Sequence, residues 1–385
     1  MGPFGVDGRC RDGACRRAIP QRRRCRGGSS AGRGDPLCDG LGYGNVVAAN
    51  DGPQKSQSSS VEVIMNALQP PVDRDAFEAV LLHNCDLNVY AGEGTLLEKS
   101  MKYIVSAGGK RIRAALCVAG YRYAMRERGC DRSTDSDDSV LVMATAVEMM
   151  HSASLVLDDL PCMDNAATRR AKPCVHISHG EANALLAASA LVSLAFLAAI
   201  EVGVKVNLTI CDNQGAGSRI SLELICASVR MAIGQSMDIN VKAESVDVVV
   251  DEAKVMQVHA EKTGSLIVAS VVCGAICGGA DRACLERVRR YANKLGAAYQ
   301  IADDLIDATM TETQAGKPTG TDAGKPSYVE AVGVEAAEAA VDRLMLEAIN
   351  SLIRDQDGDL TRIARSLVGR CAYSTPLQNS CKSAL

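Results

Sequence analysis

From Glu148 to His176 the chain reads EMMHSASLVLDDLPCMDNAATRRAKPCVH. An apolar run ends in aspartates at 158, 159 and 164, and a twin arginine follows at 169 and 170. Acids beside bases at the end of an apolar run are unusual packing for a plain core helix. They are sensible packing for a magnesium-bound diphosphate that carries an apolar tail. Whatever fold the chain adopts must therefore set a charged lip above an apolar wall.

A second acidic stretch, DDLID, occupies 303–307. On a helix Asp303 and Asp307 share a face, with Asp304 alongside. Like charges at that spacing destabilise a bare helix, and a divalent cation reverses the sign. Oxygen ligands without His or Cys nearby favour Mg²⁺ over zinc. The flanks, GAAYQIA and LIDA, are apolar, which argues against an exposed acidic face. In the first stretch, Asp158 and Asp164 would stand about 120° apart on an ideal helix. Pro161 cannot continue regular helical bonding, so Pro161-Cys162 should form a bulge that returns Asp164 to Asp158. The expectation is two acidic lips facing each other across a cleft.

A phosphate between such lips needs Mg²⁺ as a bridge and gains from fixed cations. GGKRIR at 108–113 offers Lys110 and Arg113 on a turn loosened by glycine, Arg169 and Arg170 follow the first lip, and Lys262 and Lys317 come later. Arg supplies forked bonds to phosphate oxygens and Lys a point charge.

The remaining sequence favours an all-α fold. Ala- and Leu-rich runs carry the helical period, with Gly and Pro mostly between them. Helical stretches are expected over 77–94 and 96–128, the second broken at Gly108-Gly109. Further helices are expected at 139–157, 182–200, 219–237, 247–277, 281–306, 327–353 and 359–370, with loops at 130–139 and 210–218. The run 182–200 has no charged residue. Its length would admit a membrane span, but small residues and missing aromatic anchors favour the central helix of a bundle. Residues 1–60 are rich in Arg, Gly and Ser, poor in acids and without an apolar signal core, the composition of an organelle transit peptide. Plastid is the expected destination, with mitochondrion or cytoplasm as alternatives. The helical domain is expected over 73–375. A net charge of −4 gives no hint of nucleic acid, and 3% aromatics leave few stacking platforms. The 16 cysteines show no CxxC pair, and buried thiols are the simpler reading.

These motifs together resemble the polyprenyl (geranylgeranyl/farnesyl) diphosphate synthase family, from about residue 75 to 370. The motifs are GGKRIR, VEMMHSASLVLDDLPCMDNAATRRAKP, GQSMDI at 234–239, EKTGSL at 261–266 and YQIADDLIDATMTETQAGKPTGTD at 299–322. The resemblance implies a single-domain helical bundle around a deep cavity, usually as a homodimer. It implies condensation of isopentenyl diphosphate with an allylic diphosphate through Mg²⁺-assisted ionisation. By the same resemblance, Asp158, Asp159, Asp164, Asp303, Asp304 and Asp307 would hold about three Mg²⁺ ions. Lys110, Arg113, His151 and Arg170 would grip isopentenyl diphosphate. Arg169, Lys262, Lys317 and Lys325 would grip the allylic diphosphate, and Thr263 and Gln300 would face the reacting carbons. Ala153 and Ser154, one turn before Asp158, are small and would leave the tail cavity deep, as in the plant and bacterial geranylgeranyl type. Met149 or Met150 could still floor it.

Several positions depart from the family pattern. An Asp pair is replaced by Ala166 and Ala167, a Gly by Ala171, a Pro by Ala114, and a Gly-Asp pair by Ala188 and Ser189. The segment between Asp322 and Lys325 looks shortened. None removes a primary ligand, but they raise a rival reading. Some relatives are regulatory subunits of heterodimers that carry CxxxC pairs, and Cys273 and Cys277 form such a pair. A class I terpene cyclase is a further rival, though it would not need GGKRIR.

Overall fold

In the computed structural model of the chain, the described residues are 74–87, 94–130, 138–209, 215–244, 251–309, 326–353, 355 and 357–368. The Arg-rich leader, Lys317 and Lys325 lie outside them. The helices are α1 (Arg74–His83), α2 (Leu96–Val105), α3 (Ile112–Glu127), α4 (Asp138–Asp158), α5 (Val175–His179), α6 (Glu181–Thr209) and α7 (Ala216–Glu244). After them come α8 (Glu252–His259), a π-helical turn (Ala260–Gly264), α9 (Ser265–Cys277), α10 (Arg282–Thr309), α11 (Tyr328–Val332), α12 (Val334–Asn350) and α13 (Asp359–Val368). The only strands among the described residues are β1 (Thr168–Arg169) and β2 (Lys172–Pro173), a minimal antiparallel hairpin between α4 and α5.

Of the expected stretch 77–94, the helix ends at His83 and the chain turns through Asn84 and Cys85; 88–93 lie outside the described residues. The expected stretch 96–128 is two helices, α2 and α3, parted at the Gly-Gly turn. Thr95 caps α2 by accepting from the Glu98 amide at 3.1 Å, and Glu98 accepts in return from Gly94 N at 3.2 Å. One orphan donor of the first turn and the Gly94 amide just before the cap are thereby satisfied.

The centre of the bundle belongs to α9. All thirteen of its residues are buried, as expected of a helix that is apolar all round. It reaches α3 backbone to backbone. A Cβ on Gly274 would meet the Cys117 carbonyl oxygen at 1.8 Å, and one on Gly120 would meet that of Val271 at 2.3 Å. Cys273 and Cys277 are buried on this helix, Cys273 with its thiol 3.7 Å from the Ile220 carbonyl of α7, and burial pushes the Cys273 thiol well above its ordinary value. The CxxxC pair is thus core, not surface.

The sequence assigned the central position to 182–200, and the structure corrects this. That run belongs to the longer α6, which lies at the periphery and exposes Leu185, Leu186, Leu197, Ile200 and Val204. Only 39% of its apolar window is buried, against 72% for α4 and for the continuous α8–α9 segment. All three are long and apolar enough to cross a membrane. Packing inside the chain accounts for the apolarity of two of them.

Candidate active site

The first acidic stretch sits where α4 stops. Pro161 has no amide to donate, and the chain folds into a tight turn. Asn165 N donates to Leu160 O at 3.0 Å, and Asp164 N donates to Asp158 O at 2.9 Å. Asp164 therefore returns to Asp158 despite the unfavourable helical spacing. Burial pushes the Asp158 carboxyl up to about 6, against the pull of Lys262, while Asp164 and Asp159 add to the rise. Asp159 points elsewhere. It is 1% exposed and accepts from Arg169 Nε at 3.0 and 3.3 Å. The sequence grouped Asp159 with the metal-facing carboxylates and Arg169 with the diphosphate grips; the structure pairs the two with each other.

Arg169 closes the first strand of the hairpin. Its partner is Lys172, and the two turn residues, Arg170 and Ala171, have φ of 54° and 59°. Left-handed φ at both turn positions is what a two-residue hairpin of this twist requires. The turn sends the Arg170 guanidinium onto the Gly108 carbonyl. Gly109, at φ 126°, makes room: a Cβ there would lie 2.8 Å from that guanidinium. The two glycines of GGKRIR are thus the seat of Arg170.

Arg111 locks this turn. It bonds Glu78 at 2.8 Å through both Nε and Nη2, reaches Val105 O at 2.5 Å and stands 3.4 Å from Glu148. Glu148 also accepts from Ala114 N at 3.2 Å, a bond that the Pro usual in the resembling family could not make. Arg113, next on α3, is half-buried, and its Nε has no partner among the described residues. Burial pulls its guanidinium down from the ordinary value. His151 faces the same wall. Burial first, then Arg113, Arg170, Arg111 and Arg169, hold it well below the ordinary imidazole value, so it is neutral. Lys110 is exposed. These groups form one cationic wall with more positive charge than its own acids balance.

The opposite wall is built on the π-turn, a break in helical register of a kind frequent at functional sites. It carries Lys262 and Thr263. α7 approaches so closely that a Cβ on Gly234 would lie 2.2 Å from Lys262 N. One turn on, Asp238 accepts from Lys262 Nζ at 2.8 Å. His259, just before the π-turn, places Nε2 3.5 Å from Asp304, which also accepts from Tyr328 N at 2.8 Å. Burial pulls His259 down to about 4; Asp238 and Asp303 act against this, and Lys262 acts with it. Asp304, like Asp159, is committed to a neighbouring element. Asp303, Asp307, Thr263 and Gln300 are each half-buried. Tyr299 lies within electrostatic reach of Arg113, which brings the second acidic helix to the cationic wall.

The walls meet at Lys262. It is the largest ionic influence on Asp158, and His259, three residues before it, is within reach of Asp303. Asp158 and Lys262 both line a cavity of about 440 Å³. Below Asp158 its α4 side is Leu157, Ser154 and Met150, one face of the helix descending about 12 Å. Val192 of α6 and Met231 of α7 close the other sides. Met163, carried out by the Pro161 turn, reaches across to Gln235 Nε2 at 4.0 Å. Of the residues expected to set depth, Ser154 and Met150 border the cavity, while Ala153 and Met149 are packed in the core. Ala188 is buried and Ser189 exposed, and neither lines the cavity.

Among the described residues no three His, Cys, Asp or Glu are grouped as a ready metal cage. The donors are nonetheless all hard oxygens, and burial, with Asp164 and Asp159 adding to it, raises Asp158 in a way that a cation would relieve. This fits Mg²⁺, which is typically held by one or two carboxylates together with substrate phosphates.

Sequence reasoning had not singled out Asp238, Arg111 or Glu148. The first could have been found: Gly234 and Asp238 stand four apart in GQSMDI, one helical face with a small residue and an acid. Nothing local marks Arg111 or Glu148, whose partners are distant in sequence.

The polyprenyl synthetase family model matches residues 94–365. Geranylgeranyl pyrophosphate synthase 4 of Arabidopsis thaliana is 36% identical over 66% of this chain and 64% of its own length. Geranylgeranyl pyrophosphate synthase 10, mitochondrial, of the same plant is 32% identical over 85% of this chain and 91% of its own. Among solved structures, an apo FPP/GFPP synthase from Zymomonas mobilis superposes with a TM-score of 0.62 at 28% identity, covering 80% of this chain and 98% of the other. A geranyltransferase from Helicobacter pylori, complexed with magnesium and isoprenyl diphosphate, superposes with a TM-score of 0.60 at 26% identity, covering 83% and 100%.

Proposed function

The chain belongs to the polyprenyl synthetase family, and from that premise we propose that it extends an allylic diphosphate with isopentenyl diphosphate to give geranylgeranyl diphosphate. The observation that carries this reading is the shared cavity: Asp158 and Lys262 border an apolar well whose α4 face is small at Ser154 and carries Met150 one turn deeper. A diphosphate belongs at the charged mouth and a prenyl tail in the well.

Asp158, Asp164, Asp303 and Asp307 would hold Mg²⁺, which when bound neutralises the departing diphosphate. The chain's own part is positioning and shielding. Lys262 and Arg169 would take the allylic diphosphate, with Lys317 and Lys325 assisting. The cationic wall of Lys110, Arg113, His151 and Arg170 would take isopentenyl diphosphate. Because His151 is neutral, it can donate one hydrogen bond without adding a further charge to four arginines. The allylic C–O bond breaks, the isopentenyl double bond attacks the cation, and a proton leaves, with the departing diphosphate as its acceptor. Thr263 and Gln300 would face these carbons. Fixed charges of this kind each contribute about 3 kcal/mol to such a step. The apolar lining keeps water from the cation.

The bare apolar face of α6 and α7, including Leu186, Leu197, Ile200, Leu222, Ile225 and Val229, supports a homodimer. Contiguous exposed apolar surface of this kind usually marks an interface. Plastid is the destination we assign, supported by chloroplastic relatives from Arabidopsis thaliana and Capsicum annuum.

The test is direct. The chain without residues 1–60, with Mg²⁺, isopentenyl diphosphate and farnesyl diphosphate, should yield geranylgeranyl diphosphate by chromatography of the dephosphorylated products. A shorter or longer product overturns the chain-length assignment. Silence alone, with a changed output when an active relative is added, would instead mean a regulatory subunit.

A further inference from the structure

Lys262 stands between two carboxylates that do different things. Its ammonium donates to Asp238 Oδ2 at 2.8 Å. Its charge also reaches Asp158, on the far side of the cavity mouth. The flexible four-carbon stem of a lysine lets its charge move between such partners. Asp238 has the advantage of placement. The bare Cα of Gly234 lets the π-turn settle against α7, and Asp238 lies four residues on, on that same helix face. Both members of the pair are partly shielded, with side-chain exposures of 27% for Lys262 and 19% for Asp238.

Without the Asp238 charge, Asp158 becomes an available anionic partner for Lys262 at the cavity mouth. A direct Lys262–Asp158 pair would occupy the oxygens that a divalent cation needs. We propose that Asp238 is a positioning residue: it holds Lys262 off Asp158 and so keeps that carboxylate available to a divalent cation arriving with a diphosphate. The proposal rests on the synthase reading above. It adds to that reading a role for an acid to which the reading assigns neither metal nor substrate. It also accounts for the pairing of Gly and Asp within GQSMDI, since one admits the π-turn and the other captures its lysine.

The test is calorimetric titration of Mg²⁺ into the full chain with saturating inorganic pyrophosphate. Asp238→Asn, nearly the same shape without the charge, should weaken Mg²⁺ binding about three- to tenfold, the size of an ordinary coupling between contacting side chains. Asp238→Glu should recover most of the loss. In a Lys262→Met background, Asp238→Asn should change Mg²⁺ affinity by less than about twofold, because the competitor is gone. Asp238→Ser carries the same expectations should the Asn variant fail to fold. Equal weakening in both backgrounds would make Asp238 a general structural residue and overturn the proposal, as would no weakening in either. A wild-type chain that does not bind Mg²⁺ with pyrophosphate would overturn the synthase reading and this proposal with it. Normal wild-type binding with indifferent Asp238 variants would overturn the proposal alone.

Discussion

The two acidic stretches carry the same residue type in nearly the same pattern, yet they are built differently. DDLID lies inside α10, which runs on to Thr309, and its spacing is the helix's own. DDLPCMD straddles a helix end, and its spacing comes from a turn. The four non-glycine residues with positive φ among those described are Arg111, Asn165, Arg170 and Ala171. Three follow the first stretch, and the fourth begins the helix beyond the glycines that seat Arg170. Backbone strain is therefore concentrated on the first lip, where such strain commonly marks function. The stretches agree in one respect. In each, the second of two adjacent aspartates turns to a neighbour: Asp159 to Arg169, Asp304 to Tyr328 N and His259. Adjacent helical residues point about 100° apart, so both cannot face one cleft.

The largest effect should separate the two members of a pair. Asp158→Asn removes a cavity-mouth carboxylate, and turnover at saturating Mg²⁺ should fall about a hundredfold or more. Asp159→Asn should behave differently. It uncouples a buried acid from an arginine that is a third exposed, so stability should fall by about 2–3 kcal/mol, below the cost of breaking a fully buried pair. The allylic KM should rise more than turnover falls, because Arg169 loses its seat. Equal losses of turnover in both variants, with stability unchanged in urea melts, would make Asp159 an equivalent metal ligand and break the comparison.

That division was not legible in the sequence. The period of the aspartates gives which residues share a helix face, not which face meets the cleft. The Pro161 turn was legible, because proline removes a specific donor. The Gly-Gly break at 108–109 was legible as a turn, but not as the seat of Arg170, whose contact spans about sixty residues of chain. α6 misled for a related reason: an uncharged run signals burial, yet the cover can come from another molecule rather than from the chain. The π-turn was not legible: composition does not mark a break in helical register, and the close approach of α7 at Gly234 comes from a distant part of the chain.

The histidines extend the comparison to pH. His151 faces the cationic wall and His259 the acidic one, yet burial lowers both. A histidine with a lowered native value is protonated more readily in the unfolded chain. Its contribution is complete above the unfolded value of about 6.5 and is lost as pH falls towards the native one. For His259, whose native value is about 4, roughly 2 kcal/mol should be lost between pH 7 and 5. His259→Gln should flatten that part of the stability profile in urea melts. His151→Gln should flatten it too, and pyrophosphate should lessen the loss only in chains that retain His151, since an anion relieves a cationic wall and not an acidic one. A profile unchanged by either substitution would mean that burial does not hold these rings neutral.

The smallest effect tests the strain itself. Ala171 sits at φ 59° in a turn that suits glycine, and its methyl is exposed. A left-handed conformation costs a residue with a Cβ roughly 1–2 kcal/mol, and glycine returns part of the gain through its freer unfolded chain. The methyl buries nothing that would be missed. Ala171→Gly should therefore stabilise the protein by about 1 kcal/mol at most, seen as a higher urea midpoint with an unchanged slope. Turnover should stay the same, because the glycine preserves the turn that holds Arg170 on the Gly108 carbonyl. A stabilised chain with reduced turnover would carry a different meaning: the strained alanine would then be limiting the motion of Arg170, and the first lip would owe its activity to the strain that the second lacks.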